Sequence, residues 1–446
     1  MKRFFRLLSI LLAILTICLL PSFVSAEEVS STEEKETDKE EFVMRAAWIR
    51  PGENTAEAVE KSVQALYDLG INTIFLETIY NGYAIYPIEH ACVTQWTRYE
   101  GFDVLQAYID ACHKRGMQLH CWMESFFVGM EDSGNGGPVV AAHPDWLLCD
   151  KQGNNWEDTM YGKMYFLNPA KQECRDFLVD LFMDIVNNYD VDGMQLDYVR
   201  YPEKTELRDY GFDSETIAAF MVETGNPDPT NHAMGPVAEA FVQYKRDQVT
   251  KFVQQFVFSA KKAKPEITIS FSVAPDFDYG ESNYMQSVRL WMQMKYGQLL
   301  VPMCYDENAV ASQIASSVAA AGGDKSKVLI GLSAQSRFSE ESMLSQIEAV
   351  RKGGCGIAFF EGRSLLRRYA NAIGDRLKEY KLPEETSEEN TSEEESKEEN
   401  LSSSSQVSQP SPRPEKHSFP WEIAVGLGIA LAAAIGLLFF WLKKKK

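Results

Sequence analysis

Apolar positions along the chain follow two periods, and their alternation predicts a fold built from repeated strand–helix units. Short apolar runs are separated by longer stretches with apolar residues at helical spacing, as at Val59, Val63 and Leu66. Glycines such as Gly70 follow these stretches and mark helix ends. The predicted strands are 45–50, 72–77, 118–124, one within 192–202, 266–273, 299–305, 328–333 and 356–361, and the predicted helices are 55–69, 102–115, 169–189, 237–264, 285–294, 310–321, 340–351 and 365–377.

Eight apolar strands that alternate with helices over about 330 residues predict an α/β fold, a (β/α)8 TIM barrel. Most of the strands are largely apolar, as expected for a parallel sheet covered on both faces. An open doubly wound sheet is the alternative. It would carry a glycine-rich phosphate loop after the first strand, and residues 50–54 do not form one. Two aromatic-rich loops (80–96 and 125–165) and a polar insertion (203–236) interrupt the regular pattern.

The segment 192–202, with the sequence DGMQLDYVRYP, carries the strongest functional signal in the chain. Asp192 and Gly193 predict a turn before the fourth strand, and Pro202 cannot continue a strand ladder. Asp197 and Arg200 therefore lie near the carboxyl end of the strand. Because barrel enzymes place their active sites at the carboxyl ends of the strands, we expect these residues to face the functional site.

Carboxylates and aromatic side chains dominate the other predicted strand ends, and this combination favours a carbohydrate ligand. Aromatic faces stack on sugar rings, and paired carboxyl groups cleave glycosidic bonds. The predicted substrate-binding residues are Trp48, Glu77, Tyr83, Trp122, Tyr198, Arg200 and Tyr305. Glu77 is interpreted as an acceptor for a sugar hydroxyl or as a partner of Arg50. Histidine and cysteine spacings show no metal motif, so neither a metal nor a cofactor is predicted.

Asp197 is the first choice for one member of a catalytic carboxyl pair. We expect Arg200 to keep it ionised, as nucleophile or as stabiliser of the transition state. The seventh strand ends without an acid, so three candidates for the second carboxyl stay open. Glu124 lies on a neighbouring strand, at a separation typical of retaining enzymes; Asp306 lies two strands away, nearer the separation of an inverting pair; Glu361 lies across the barrel.

The formal net charge of -20 argues against a nucleic-acid partner, which requires a basic face. Much of this acidity lies in the tracts 27–41 and 384–399, whose composition predicts disorder. Residues 1–26 have the positive start, apolar stretch and small-residue cleavage site of a signal peptide. Residues 423–442 carry no charge and precede four lysines (443–446), which predicts a transmembrane helix with its lysines on the cytoplasmic side.

The resulting domain order is a signal peptide (1–26), an acidic leader (27–41), the catalytic barrel (42–382), a linker (383–420), the transmembrane helix (423–442) and a cytoplasmic tail (443–446). This order predicts an extracellular domain that is anchored in the cell membrane by a single pass. Leu382–Thr386 is similar to a cell-wall sorting signal, although Ser387 replaces its glycine. The cysteines are scattered without a CxxC pair, which predicts free thiols.

Segment 192–202 resembles the fourth-strand motif of glycosyl-hydrolase-like family 10, a family of exported bacterial barrels distantly related to α-amylase-type enzymes. Residues 113–122 resemble the family's third unit, and weaker similarities occur at 44–49, 83–87 and 301–305. The resemblance covers about residues 42–380 and implies a glycoside hydrolase. One relative in the family acts on peptidoglycan strands stripped of stem peptides, which implies a cell-wall substrate. The alternative is a non-catalytic glycan-binding barrel at the cell surface.

Overall fold

Eight parallel strands form a nearly closed barrel in the computed structural model, which describes residues 43–131, 136–335 and 338–381. The strands are β1 (Arg45–Ile49), β2 (Thr73–Tyr80), β3 (Gln118–Glu124), β4 (Gly193–Asp197), β5 (Thr268–Val273), β6 (Leu299–Pro302), β7 (Leu329–Ser333) and β8 (Gly356–Phe360). Their order around the barrel is β6-β5-β4-β3-β2-β1-β8-β7. Single bridges from Leu300 to Val328 and from Met303 to Gly331 bring β6 against β7. The predicted (β/α)8 barrel is confirmed, and the open doubly wound sheet is excluded.

Helices connect consecutive barrel strands and cover the outside of the barrel. They are α1 (Ala56–Leu69), α2 (Val104–His113), α3 (Pro138–Ala142), α4 (Gln172–Asn188), α5 (Ser214–Thr224), α6 (Pro236–Ala263), α7 (Phe277–Asn283), α8 (Val288–Gln293), α9 (Val310–Ala320), α10 (Glu340–Gly353), α11 (Gly362–Arg368) and α12 (Ala370–Ile373). The ends of α1 show why the sequence folds in this way. The Thr55 hydroxyl accepts a hydrogen bond from the Ala58 N–H, and Gly70 ends the helix at a φ of 100°.

The alternation of side chains along each strand divides the apolar core in two. A large cluster fills the space between the strands and the helices. A smaller cluster fills the barrel interior and consists of Ala46, Trp48, Phe75, Trp122, Val301, Leu329 and Ala358. Residues two positions further along the same strands therefore point inward at the carboxyl end of the barrel. Glu77 and Glu124 occupy such positions on β2 and β3, and Asp197 lies two residues beyond Gln195, which faces inward on β4 toward Trp48.

Several predicted boundaries were wrong. The loop 125–165 contains a three-stranded antiparallel sheet formed by Phe127–Met130, Glu157–Thr159 and Gly162–Phe166. A two-residue turn joins its last two strands, and the ring of Phe127 packs 5.8 Å from that of Phe166. The polar insertion 203–236 contains helix α5, which Asp213 caps by accepting from the Thr216 N–H. The predicted helix 285–294 begins only at Val288.

The predicted turn at Asp192 and Gly193 was also wrong, because Gly193 is the first residue of β4. A Cβ at this position would lie 2.4 Å from the His120 ring, so the glycine is required for the close approach of that ring. Asp192 instead accepts hydrogen bonds from the Leu119 N–H and from His113. These contacts hold the amino end of β4 against β3.

The described cysteines are all free, as predicted, with Cys92 and Cys149 half-buried and the others buried. Within the described ranges, no helix is long and apolar enough to cross a membrane. The predicted signal peptide, acidic leader, linker, transmembrane helix and lysine tail all lie outside the described residues.

Candidate active site

Three carboxyl groups meet at the carboxyl ends of β2, β3 and β4. Glu77, Glu124 and Asp197 are 6%, 7% and 7% exposed, respectively. Glu124 is the last residue of β3 and Asp197 the last residue of β4, and the two are direct partners in the parallel register. Neighbouring strands lie about 4.8 Å apart, so these two side chains leave the sheet side by side. The register between β2 and β3 shifts immediately after Glu77. This shift is a β-bulge at the edge of the site.

Arg50, the residue after β1, joins two of these carboxylates. Its Nε donates to Oε1 of Glu77 at 2.8 Å, and its Nη2 lies 4.0 Å from Oε1 of Glu124. The guanidinium also lies over the Trp122 ring, 5.3 Å from the ring centroid. The predicted partnership between Glu77 and Arg50 is therefore confirmed. About half of the Arg50 side chain is exposed, whereas the three carboxyl residues are buried, so Arg50 is the most solvent-accessible member of the cluster.

Asp197 is held by one hydrogen bond to each carboxylate oxygen. Oδ2 accepts from the Trp122 indole N–H at 2.9 Å, and Oδ1 accepts from the Tyr198 backbone N–H at 2.7 Å. Tyr198 adopts a φ of 45°, an unusual conformation for a residue with a side chain. This left-handed residue lies immediately after the carboxylate, at the end of β4. Strain of this kind is concentrated at functional sites.

Burial dominates the protonation of the cluster. It raises the pKa of Glu124 well above its ordinary value, and the negative charge of Glu77 adds to the effect. Burial also raises the pKa of Glu77 to about 7, against the pull of Arg50. The pKa of Asp197 is raised by burial too, but the Tyr198 N–H and the Trp122 indole oppose that shift. For Arg50, burial alone would lower the pKa, yet Glu77 and Glu124 raise it above its usual range.

Oε2 of Glu124 is buried and has no hydrogen-bond partner. Asp197, by contrast, has both oxygens occupied by N–H donors. A carboxyl that is buried without donors favours its protonated form, whereas N–H donors favour the ionised form. The surroundings therefore favour the protonated acid at Glu124 and the ionised carboxylate at Asp197. A glycosidase pair requires these two different protonation states.

Aromatic rings surround the cluster. The ring of Phe360 lies 5.8 Å from that of Tyr305 in a stacked arrangement, and Arg50 lies 5.8 Å from the centroids of both Phe360 and Tyr80. Trp48 lies deeper, buried inside the barrel, where its indole donates to Oε1 of Gln195. Of the predicted sugar-binding rings, Tyr305 thus borders the cluster and Trp48 lies beneath it.

Arg200 lies on a second aromatic surface beside Asp197. Its guanidinium lies 4.4 Å from the centroid of Tyr284 and 4.8 Å from that of Tyr198, and it donates to the backbone carbonyl of Tyr201. It forms no ion pair with Asp197 within 4.0 Å, so its charge acts on that carboxylate only at longer range. Tyr83 lies apart on the loop after β2, half-buried and stacked against Trp96 at 6.2 Å.

The two other candidate acids lie outside the cluster. Asp306 is exposed in the turn after β6, where its carboxylate accepts from the Asn308 N–H. Glu361 is the residue before helix α11 and caps the amino end of that helix. Its Oε1 accepts from the Arg363 N–H, and its Oε2 accepts from the N–H and hydroxyl of Ser364.

Three contributors to the site were missed or understated from sequence. Arg50 was named only as a possible partner of Glu77, although it follows the inward-facing Trp48 by two residues and therefore also faces the carboxyl end of the barrel. Gln195 alternates with Asp197 on β4, a signal that could have identified it as an inward-facing residue that supports Trp48. Tyr284 follows helix α7 and has no sequence signal, because its place beside Arg200 depends on the path of the chain between β5 and α8. No group of three potential metal ligands occurs among residues 43–131, 136–335 and 338–381.

Comparison with known proteins identifies the family. The family model for glycosyl hydrolase-like 10 matches residues 43–336. The chain belongs to the glycosyl hydrolase-like 10 family. Two curated relatives are glycosyl hydrolase DigH of Escherichia coli O6:H1, 23% identical over 239 residues (49% of this chain and 47% of DigH), and glycosyl hydrolase YngK of Bacillus subtilis, 23% identical over 259 residues (52% and 44%). The matches therefore span less than half the length of these relatives.

Similar solved structures support the fold. The β-amylase catalytic domain of Paenibacillus polymyxa superposes with a TM-score of 0.51 at 12% identity, covering 72% of this chain and 93% of that domain. An α-L-fucosidase of Paenibacillus thiaminolyticus gives a TM-score of 0.51 at 17% identity, covering 75% of this chain and 49% of the fucosidase. At these identities the similarity extends to the barrel architecture alone.

Proposed function

We propose that this protein is a retaining glycoside hydrolase in which Asp197 is the nucleophile and Glu124 is the general acid and base. The observation that carries the proposal is the register of β3 and β4, which makes these two buried residues direct neighbours at the carboxyl end of the barrel. Retaining enzymes hold their two carboxyl groups about 5–5.5 Å apart, close to the spacing of adjacent strands. Membership of the glycosyl hydrolase-like 10 family supports the same chemistry.

The proposed mechanism has two steps. Asp197 attacks the anomeric carbon while Glu124 donates its proton to the departing glycosidic oxygen, which leaves a covalent glycosyl–enzyme ester. Glu124, now ionised, then removes a proton from a water molecule that attacks the same carbon and releases Asp197. The raised pKa of Glu124 suits the first step. The hydrogen bonds from Trp122 and Tyr198 suit a carboxylate that must be ionised and fixed in orientation.

Asp306 and Glu361 are the less suitable partners for Asp197. The oxygens of Glu361 accept three hydrogen bonds from the first turn of α11, and Asp306 is exposed in a turn.

The side chains around the cluster bind the sugar in this proposal. In this proposal Arg50, Tyr198, Arg200 and Tyr305 contact the substrate, Glu77 fixes Arg50, and Trp48 and Trp122 support the site from below.

We further propose that the substrate is a bacterial glycan, with peptidoglycan strands as the first choice. The resemblance of segment 192–202 to the family motif supports this substrate, and the predicted signal peptide would bring the barrel to the outside of the cell. The uncharged segment 423–442 and its lysines support anchoring at the cell membrane. Fractionation of cells that produce the chain with and without residues 421–446 tests the anchor: only the full-length protein should sediment with membranes.

The function itself is tested by incubating the purified protein with denuded peptidoglycan, intact peptidoglycan and a neutral glucan, and by measuring new reducing ends. We expect release from one of the peptidoglycan samples, and none from the Asp197→Asn variant. The second candidate, a non-catalytic glycan-binding barrel, is favoured by the low exposure of all three carboxyl groups. It predicts binding to the same glycans with no new reducing ends.

A further inference from the structure

A cavity of about 310 Å³ lies beside the polar insertion that follows β4. It shares no lining residue with the carboxylate cluster. Phe212 and Phe241 supply an apolar part of its wall, and their rings pack 5.1 Å apart. Its volume is at the lower end of the range for small-molecule sites, roughly 300–1,000 Å³. The polar part of the wall comes from the loops that begin at Lys151 and Lys204.

Two lysines face a single carboxylate at this cavity. Lys245 is fully buried, and its ammonium donates to Oδ1 of Asp209 at 2.5 Å and to the Tyr210 carbonyl at 3.1 Å. The Lys204 ammonium lies 3.9 Å from Oδ2 of the same Asp209. One carboxylate therefore serves two cations. The Lys204 backbone donates to the Asn283 carbonyl and accepts from the Asn283 side chain, so the backbone of this wall residue is fixed on both sides.

Lys151 adds a third positive charge, and none of the carboxylates in the described part of the chain forms an ion pair with it. Its ammonium lies 4.7 Å from the centroid of the Phe212 ring and donates to the backbone carbonyl of Thr230. Arg208 also lines the cavity, but its charge is compensated by Asp158. Glu206 is exposed at the same wall. The ammonium groups of Lys151 and Lys204 at the wall and of Lys245 behind it outnumber the carboxylates of Asp209 and Glu206 by one, which leaves a local positive charge in a chain whose net charge is -20.

The positive charges of Lys204 and Lys151 act on the pKa of the buried Lys245. Burial lowers the pKa of Lys245, Asp209 opposes this shift, and the like charges of Lys204 and Lys151 add to it. A negatively charged ligand group in the cavity would reduce this repulsion. Charge-assisted hydrogen bonds from ammonium groups to an oxyanion are also about twice as strong as those between neutral groups.

We propose that this pocket, defined by Lys151, Lys204, Asp209, Phe212 and Phe241, binds the oxyanion group of an acidic sugar, a carboxylate or a phosphate. The apolar rings provide a surface for the sugar ring, and the lysines provide the charge. The loop that follows β4 carries Tyr198 and Arg200 near the active site and Lys204 at the wall of the pocket, so one loop contributes to both. That the acidic sugar is part of the cleaved glycan rests on the proposed function; the binding of the anion does not.

The test is a ligand-detected NMR titration of the full-length protein at low salt with three probes: galacturonate, glucose 6-phosphate and glucose. We expect at least one acidic probe to bind more tightly than glucose. In the double variant Lys151→Gln/Lys204→Gln, that binding should weaken by about tenfold or more, because both charge-assisted hydrogen bonds to the oxyanion are lost. Comparison of the two acidic probes shows whether the site prefers a carboxylate or a phosphate.

The matched control is Lys325→Gln/Lys327→Gln, which makes the same change of charge in the turn before β7, at the opposite end of the barrel. It should bind the acidic probe as the unmodified protein does. The proposal is overturned if both acidic probes bind no better than glucose, or if the two double variants bind the acidic probe equally. The measurement needs no turnover, so a failure of the proposed hydrolase activity would not affect its outcome.

Discussion

The acidic side chains at the strand ends have different surroundings in the two halves of the barrel. In the half formed by β1 to β4, Glu77, Glu124 and Asp197 are buried at the strand ends around a single arginine. In the half formed by β5 to β8, the acids lie beyond the strand ends and accept hydrogen bonds from the backbone of the next turn or helix. These acids are Asp276, which caps α7, Asp306 in the turn after β6, and Glu361, which caps α11.

The difference shows that position after a strand is not sufficient to make an acid catalytic. Local N–H donors hold Glu361 in a structural role, whereas Glu124 has one oxygen that is buried without a partner. We propose that catalysis belongs to the half in which the carboxyl groups are buried around Arg50. In this proposal the adjacency of β3 and β4 gives the pair the short separation of a retaining enzyme.

The largest effect is expected from Asp197→Asn. The amide cannot act as a nucleophile, so hydrolysis should fall by about 10⁴-fold or more. The shape of the side chain is nearly unchanged, and the Tyr198 N–H can still donate to the amide oxygen. The amide nitrogen then faces the Trp122 indole N–H, which loses its acceptor, so the free energy of unfolding should fall by about 1–3 kcal/mol while the protein stays folded. Reducing-end assays together with calorimetry make the comparison. Activity within tenfold of the original would remove Asp197 from the mechanism.

Glu124→Gln should reduce activity by about 10²–10⁴-fold, the usual contribution of a general acid. The loss should be much smaller for aryl glycosides whose leaving group needs no proton, if the aryl sugar matches the substrate. Glu361→Gln makes the same chemical change in the other half of the barrel and serves as the control. If the two variants lost activity equally on natural and aryl substrates, the proposed difference between the halves would be wrong.

Glu77→Gln should change the pH dependence more than the maximal rate. Glu124 is faced by Glu77, Arg50, Asp197 and Tyr198. Removal of the negative charge of Glu77 lowers the pKa of Glu124, so the alkaline limb of kcat/KM should move to lower pH.

The control for this prediction is Glu53→Gln, which breaks an ion pair with Arg363 outside the cluster and should leave the pH profile in place. A Glu77→Gln profile that stays in place, or moves to higher pH, would show that Glu77 does not control Glu124.

The smallest effects are expected in the other half of the barrel. Asp306→Asn should retain activity within about twofold, as is usual for exposed positions away from a site. Glu361→Ala should lower the free energy of unfolding by about 1 kcal/mol through loss of the α11 cap, with little change in kcat. Thermal unfolding and initial rates measure the two quantities. A loss of kcat in Asp306→Asn comparable to that of Glu124→Gln would assign the acid role to Asp306.

The repeated strand–helix pattern was sufficient to predict the barrel, and the DGMQLDYVRYP segment was sufficient to predict the position of Asp197. Spacing alone could not choose between Glu124 and Asp306, because each follows an apolar run. The decisive fact is where the strands end: Glu124 is the last residue of β3, whereas β6 ends at Pro302 and Asp306 lies four residues beyond it. Strand β6 ends where its backbone pairing with the neighbouring strands ends, and that pairing forms only in the closed barrel.

Sequence spacing also could not separate the roles of Trp48 and Trp122, which were predicted together as sugar-binding rings. Trp48 lies inside the barrel with Gln195, and Trp122 directs its indole N–H at Asp197. Alternation along a strand identifies both as inward-facing residues, but depth within the barrel depends on the stagger of neighbouring strands. Sequence patterns do not reveal that stagger.

The most direct test of the central claim is the anomeric configuration of the first product, followed by NMR immediately after the protein is mixed with a cleavable glycan. Our account predicts that the new reducing end appears first with the configuration of the bond that was cleaved and then mutarotates to equilibrium. First appearance of the opposite anomer would require a water molecule between the two carboxyl groups, and the assignment of Asp197 and Glu124 as neighbouring nucleophile and acid would be wrong.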